Sequence, residues 1–230
     1  AMITHELKTP LVPIQGYADI LLSEHLGKLT DKQKERIEII KSSSETLLSL
    51  ISDLLDAQKL ELGQLKMRKE NINIKDTITH AIETFLPQAQ KNKIEIISNI
   101  ADFSIEHDPA RIKQVITNLI KNSLTVVEPE KGKIEISMKN MPQEIQISVK
   151  DNGIGIPLNK QGDLFKKFYQ VDASLTREKG GSGLGLSICK GIMENHGGVI
   201  TVKSTPNQET VFTFTLPKKV ESGKSPIGLA

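Results

Sequence analysis

Near the start of the chain stands the run His5-Glu6-Leu7-Lys8-Thr9-Pro10. An exposed imidazole has a pKa near 6.5, so much of it is neutral and nucleophilic at pH 7. Glu6 can keep one ring nitrogen protonated and leave the other free to attack. Thr9, on the same helical side as His5, carries a hydroxyl able to position a water. Pro10 removes a backbone hydrogen bond and permits a kink beside the histidine. Much further on, Asn118-Leu119-Ile120-Lys121-Asn122 places two amides at i and i+4 with a lysine between them. Amide oxygens so spaced suit a hard cation such as Mg²⁺. Asp151-Asn152-Gly153-Ile154-Gly155 follows an alternating apolar run. A carboxylate at a strand end can accept from the exocyclic amine of adenine and repels the carbonyl of guanine. The glycines beside it let backbone come close to a flat base. Last comes Gly180-Gly181-Ser182-Gly183-Leu184-Gly185-Leu186, opening a helical pattern. Bare amides at a helix N-terminus bind phosphate. Each of these runs alone is common in ordinary surface helices and loops. In this order in one chain they fit a single task, holding a metal-bound nucleotide near a nucleophilic histidine.

The elements that must position these groups are also legible. Leu7, Leu11, Ile14, Ala18 and Leu21 recur at spacings of three and four, which makes one buried helix face. On that wheel His5 falls roughly 160° from Leu7 and points outward. Thr30-Asp31 after Gly27 reads as a turn near residues 26–30 and a new N-cap. A second apolar stripe, Ile37, Ile40, Leu47, Leu48, Ile51, Leu54 and Leu55, then runs for roughly 30 residues, long for a globular helix. Residues 1–62 are thus expected to form an antiparallel hairpin whose apolar stripe needs a cover. A second copy, giving a four-helix bundle, supplies one. Gly63 ends the helical run.

Beyond it, helices are expected at 75–90, at 109–125 behind Asp108-Pro109, and at 184–195. Strict alternation predicts strands at Ile134–Met138, Ile145–Val149 and Val211–Leu216, with a turn at Met141-Pro142-Gln143. Helices on one face of such a sheet make an α+β sandwich. The glycine run at 180–186 does not fit a dinucleotide-binding βαβ unit, because polar residues and not a parallel strand precede it. Those residues, with Arg177, Glu178 and Lys179, read as a lid. The segment after Pro217 reads as a disordered tail.

Composition narrows the class. The chain has 230 residues, enough for two domains. Hydrophobic residues make up 37% and aromatics only 3%, with no Trp, so the cores must be aliphatic. A net charge of +2, without a basic stripe or interleaved aromatics, speaks against nucleic acid and anionic membrane as partners. The single cysteine, Cys189, excludes an internal disulfide and reads as core. Neither a secretory signal nor a long apolar stretch is present, which predicts a cytoplasmic chain, tied to a membrane only through upstream segments. The abrupt start before His5 predicts a piece of a longer protein.

Taken together, these runs resemble the sensor histidine kinases of two-component signalling, over nearly the whole chain. His5 through Leu11 looks like the H-box, Asn118–Asn122 the N-box, Asp151–Gly155 the G1 box, Phe165–Tyr169 the F-box and Gly181–Gly185 the G2 box. The resemblance implies a fold: residues 1–65 a dimerisation and phosphotransfer hairpin, a four-helix bundle as a dimer. Residues 66–218 would be an ATP-binding α+β two-layer sandwich of the gyrase, Hsp90 and histidine-kinase type, and 219–230 a tail. It implies that His5 accepts the phosphoryl group, with Glu6 as acid/base helper, and that Thr9 serves a phosphatase reaction. Asn122 would ligate Mg²⁺ with Asn118 contributing, and Lys121 would meet the phosphates. Asp151, Gly153, Gly155 and Ile156 would hold the adenine of ATP, and Gly181, Gly183, Leu184 and Gly185 its phosphates. The implied partners are a second copy and a response-regulator receiver domain. Two positions depart from the pattern. Thr125 stands where relatives often carry lysine, and Gln170 where many carry arginine, so a lid cation would have to be Arg177 or Lys179. Those departures motivate an alternative, a signalling scaffold that binds ATP without transfer. An ATP-driven clamp related to MutL or Hsp90 has no use for the His5 helix.

Overall fold

The computed structural model describes residues 9–171 and 182–218. His5, Glu6, Leu7, Gly181, the predicted lid from 172 onward and the predicted tail from 219 lie outside them. Thr9 and Pro10 form a turn that leads into α1, Leu11–Leu22. This helix ends before the turn expected from Gly27. The Ser23 hydroxyl donates back to the Ile20 carbonyl at 2.7 Å, and Glu24 adopts a left-handed φ of 57°. The Glu24 carboxylate then ties the turn, accepting from the Leu29 amide at 3.1 Å and pairing with Lys34 at 3.0 Å. Those contacts hold its pKa below the ordinary value.

Helix α2 covers Asp31–Glu61, 31 residues. Thr30 opens it with a full capping box, its hydroxyl accepting from the Gln33 amide while the Gln33 side chain accepts from the Thr30 amide. Gly63, at φ 64°, closes it, and the Gln64 amide donates to Lys59 O at 2.8 Å. The two helices pack as an antiparallel pair braced by Lys41–Asp19 at 2.6 Å. Only Leu11, Ala18, Ser44, Asp56 and Ala57 are buried in them, while Ile14, Ile40, Leu47 and Leu54 stay largely exposed. The hairpin does not cover its own apolar stripe.

Strand β1, Glu70–Asn73, leads into α3, Ile74–Glu83, and α4, Leu86–Lys91. One helix was expected over this span. Pro87 explains the break: it offers no N–H, and its ring collides with the carbonyl four residues back in a continued helix. Next come β2 (Glu95–Asn99), β3 (Ser104–His107) and α5 (Pro109–Val126), the last capped by Asp108 as anticipated. The hairpin β4 (Lys133–Asn140) and β5 (Glu144–Asp151) follows, then the short α6 (Leu158–Gln161). Helix α7 (Gly185–His196), β6 (Ile200–Thr205) and β7 (Glu209–Pro217) complete the fold.

The main sheet has the order β2-β4-β5-β7-β6, with β2 parallel to β4 and the other pairs antiparallel. β1 and β3 form a separate antiparallel pair. Alternate residues of the central strands, Ile134, Ile136, Ile145, Ile147, Val149, Phe212 and Phe214, face the helices and join Ile112, Ile116, Leu119, Ile188 and Ile192 in one aliphatic core. Each such fully buried side chain contributes about 1.5–3 kcal/mol. Helices α5 and α7 touch each other and the sheet, so the expected α+β sandwich is what forms. Among the described residues, no helix is long and apolar enough to cross a membrane.

Candidate active site

Helix α5 is the spine of the site. Its buried face, Ile112, Val115, Ile116, Leu119, Ile120 and Ser123, locks it to the core. That leaves Asn118 half-buried on the flank and Lys121 and Asn122 exposed. The Asn118 amide donates to Gly185 O at 3.3 Å and to Cys189 Sγ at 3.7 Å. The second glycine run is thereby brought against the Asn118–Asn122 segment. Thr125 Oγ1 donates to Lys121 O at 2.8 Å, so its hydroxyl is spent on its own helix.

The first glycine run meets the same helix from the sheet side. Asp151 is the last residue of β5 and only 2% exposed. Its Oδ2 accepts from Ser123 Oγ at 2.8 Å and its Oδ1 from the Gly153 amide at 3.0 Å. Burial raises its pKa, opposed by those two hydrogen bonds. Gly153 is required by packing, since a Cβ there would lie 2.7 Å from Val126 Cγ2. Gly155 has φ 67°, and a Cβ there would collide with the Thr205 carbonyl. The half-buried Ile156 is fixed by its amide, which donates to Ser204 Oγ at 2.8 Å. Asn152 ties the run to the edge of β4, accepting from the Lys133 amide and donating to Lys131 O.

Gly183 has φ 69° and accepts at its carbonyl from the Phe168 amide at 2.9 Å, which joins the second glycine run to the Phe165–Tyr169 segment. Leu184, 3% exposed, takes the N-cap position of α7. No side chain caps that terminus and its first turn holds no acid. Its leading amides are suited to an anion. The amide of Leu184 donates to Ser182 Oγ, and that hydroxyl donates to Asp53 Oδ2 of α2 at 3.4 Å. Lys121 acts on the same Asp53 carboxylate.

For a metal, the chemistry on offer is amide oxygen. Among the described residues no group of three or more His, Cys, Asp or Glu side chains could hold one. Asn118 uses its NH₂ on Gly185, which leaves its oxygen to a ligand, and a cation that keeps most of its waters needs few protein donors. Cys189 is buried and its thiol is pushed up to about 12 by burial, so it is inert as anticipated. Three contributors had no motif to announce them. Ser204 sits on a strand the pattern did not reveal, Asp53 arrives from the hairpin, and nothing in the sequence marks Ser123 as a partner of Asp151.

Comparison with known proteins covers both halves. Residues 1–63 match the family described as His Kinase A (phospho-acceptor) domain. Residues 107–220 match the Histidine kinase-, DNA gyrase B-, and HSP90-like ATPase family. The circadian input-output histidine kinase CikA of Synechococcus elongatus is 35% identical over 224 residues, 95% of this chain and 29% of that protein. The chain therefore spans under a third of that relative's length. Full-length ShkA in complex with AMPPNP superposes with a TM-score of 0.75 at 26% identity, over 94% of this chain and 45% of that one. ThkA in complex with the response regulator protein TrrA superposes with a TM-score of 0.63 at 26% identity, over 97% and 62%.

Proposed function

The chain belongs to the sensor histidine kinases of two-component signalling, and from that premise we propose how its own residues divide the reaction. Residues 1–65 carry the phosphoacceptor and pair with a second copy, and residues 66–218 hold ATP. Asp151 accepts from the adenine amine, Gly153 and Gly155 admit the ring, and Ile156 packs on it. Asn122, with Asn118, would hold Mg²⁺, which would offset phosphate charge. Lys121 and the amides of Gly181, Gly183, Leu184 and Gly185 hold the phosphates. His5 attacks the γ-phosphorus in line. A nitrogen–phosphorus bond forms, the bond to the bridging oxygen breaks, and ADP leaves. Glu6 holds the proton of the other ring nitrogen. The phosphoryl group then passes to an aspartate of a response-regulator receiver domain, and Thr9 positions water for the reverse hydrolysis. The work is done where ATP is, in the cytoplasm.

The observation that carries this reading is convergence on one helix. Asn118 reaches the second glycine run and Ser123 reaches the first, so α5 joins the metal, base and phosphate groups that the sequence scatters. The test is incubation with Mg²⁺ and γ-labelled ATP beside His5→Gln and Asn122→Asp. Acid-labile, base-stable label on the parent and on neither variant is expected. An unlabelled parent that still binds ATP supports the scaffold instead, the alternative that the departures at Thr125 and Gln170 suggest.

A further inference from the structure

A serine inside a helix ordinarily turns its hydroxyl back to its own carbonyls. Ser123 does not. It is 1% exposed and sends its proton across to Asp151, on a strand 28 residues away. Among the described residues no cation pairs with Asp151. Among the described residues its partners are Ser123 and the Gly153 amide, both neutral. Nearby charges are engaged elsewhere: Lys150 with Glu209 at 2.6 Å and Lys133 with Glu95 at 3.7 Å. Burial alone raises the pKa of such a carboxylate, and the hydrogen bonds to its charged form are what oppose that rise.

That matters for reading a purine. An ionised carboxylate only accepts and selects a 6-amino group. The protonated acid can donate and tolerates a 6-oxo group. We propose that Ser123 is a positioning residue for base selection, its hydroxyl locking Asp151 as an acceptor and thereby setting preference for 6-amino over 6-oxo purine nucleotides. This rests on the nucleotide reading of the site. It adds a determinant that the glycine runs and the asparagines do not contain. The Gly153 amide cannot replace it, because it serves the other carboxylate oxygen. Serine at this point acts at a distance from the base, through the charge state of its partner.

The experiment measures binding of ATP and inosine triphosphate to the parent, Ser123→Ala and Asp151→Asn between about pH 5 and pH 9. Losing a hydrogen bond to a charged group should weaken ATP binding by up to roughly tenfold toward the acid end of that range. It should also move the midpoint of the ATP profile up by about one pH unit. ATP binding by Ser123→Ala should recover toward the parent at the alkaline end, and its ATP-to-ITP ratio should fall throughout the lower range. Asp151→Asn, whose amide carries a donor beside its acceptor at every pH, should show the low ratio with no pH dependence. A uniform loss in Ser123→Ala with the ratio unchanged means a packing role and overturns the proposal, as does no change. If Asp151→Asn keeps both the parent's ATP affinity and the parent's ATP-to-ITP ratio, the nucleotide reading has failed, and the proposal with it. Thermal midpoints of the variants identify any loss that comes from unfolding.

Discussion

His107 and His196 are buried side by side in the catalytic half, each with a fixed tautomer. His107 Nδ1 donates to Ile105 O at 2.8 Å, and its Nε2 accepts from Thr77 Oγ1 at 2.9 Å. His196 Nδ1 donates to Ile192 O at 2.8 Å, and its Nε2 accepts from the Asp108 amide at 3.0 Å. Burial pushes both pKa values below the ordinary 6.5. Below 6.5 the unfolded chain binds protons that the folded one refuses, so stability present above that pH is lost as pH falls toward the folded values. Urea midpoints should be flat above about pH 7 and decline below 6.5, with a shallower decline in His196→Gln. The same imidazole anchors Asp108, the cap of α5, so acid should weaken nucleotide binding together with the fold. Chemistry at this scale stands out in the sequence wherever one residue type suggests one task, as proposed for Asn118 and Asp151. It was hidden where the task belongs to a pair. Ser123 and Asp151, or Asp53 and Ser182, become partners only once the chain is folded. His5 and Glu6, the plainest reading of all, lie outside the described residues and await the labelling experiment.

At the scale of elements, two features can be broken cleanly. Thr30→Ala removes the capping box of α2 and should cost about 1 kcal/mol in thermal unfolding, with little effect on ATP binding. Gly155→Ala must fail on two counts, a left-handed φ of 67° and a collision with the Thr205 carbonyl. It should lower stability by about 1–3 kcal/mol and also lose ATP affinity, read by calorimetric titration. The elements found in advance were those with strong local signals: the striped α1, the capped α2, α5 behind Asp108-Pro109, α7 behind the second glycine run, and the alternating β4, β5 and β7. The rest lack such signals for physical reasons. β2 is an edge strand with an exposed, half-buried pattern and pairs in parallel with β4 through a long connection. β1 and β3 are four residues each. The split between α3 and α4 turned on Pro87, whose effect on the carbonyl four residues back outweighs the helical pattern around it.

At the scale of the whole molecule, the end of α2 rests on the catalytic half. Asp56 accepts from Arg111 Nη1 at 2.7 Å and from Gln114 Nε2 at 3.0 Å, and Glu61 pairs with Lys167 at 2.9 Å. Leu60 lies over Gly191, where a Cβ would come within 2.7 Å of it. Asp56→Ala strands a guanidinium that is 23% exposed, and should cost about 2 kcal/mol of docking, visible as faster amide exchange along 53–60 and 109–115. On the far side, Leu47→Asp in the uncovered stripe should turn the proposed dimer into a monomer by sedimentation. One property of the sheet order bears on how this molecule is made. β7, the last strand of the domain in the chain, is an inner strand, and β6 is attached through it alone. Ser204 on β6 is what receives the Ile156 amide of the base-binding turn. A ribosome delivers the chain from its N-terminus, so the histidine hairpin is in the open while the sheet still lacks its inner strand. On the proposed division of roles, the nascent chain has its phosphate acceptor before it has a finished place for ATP, and labelling is expected only once β7 has paired.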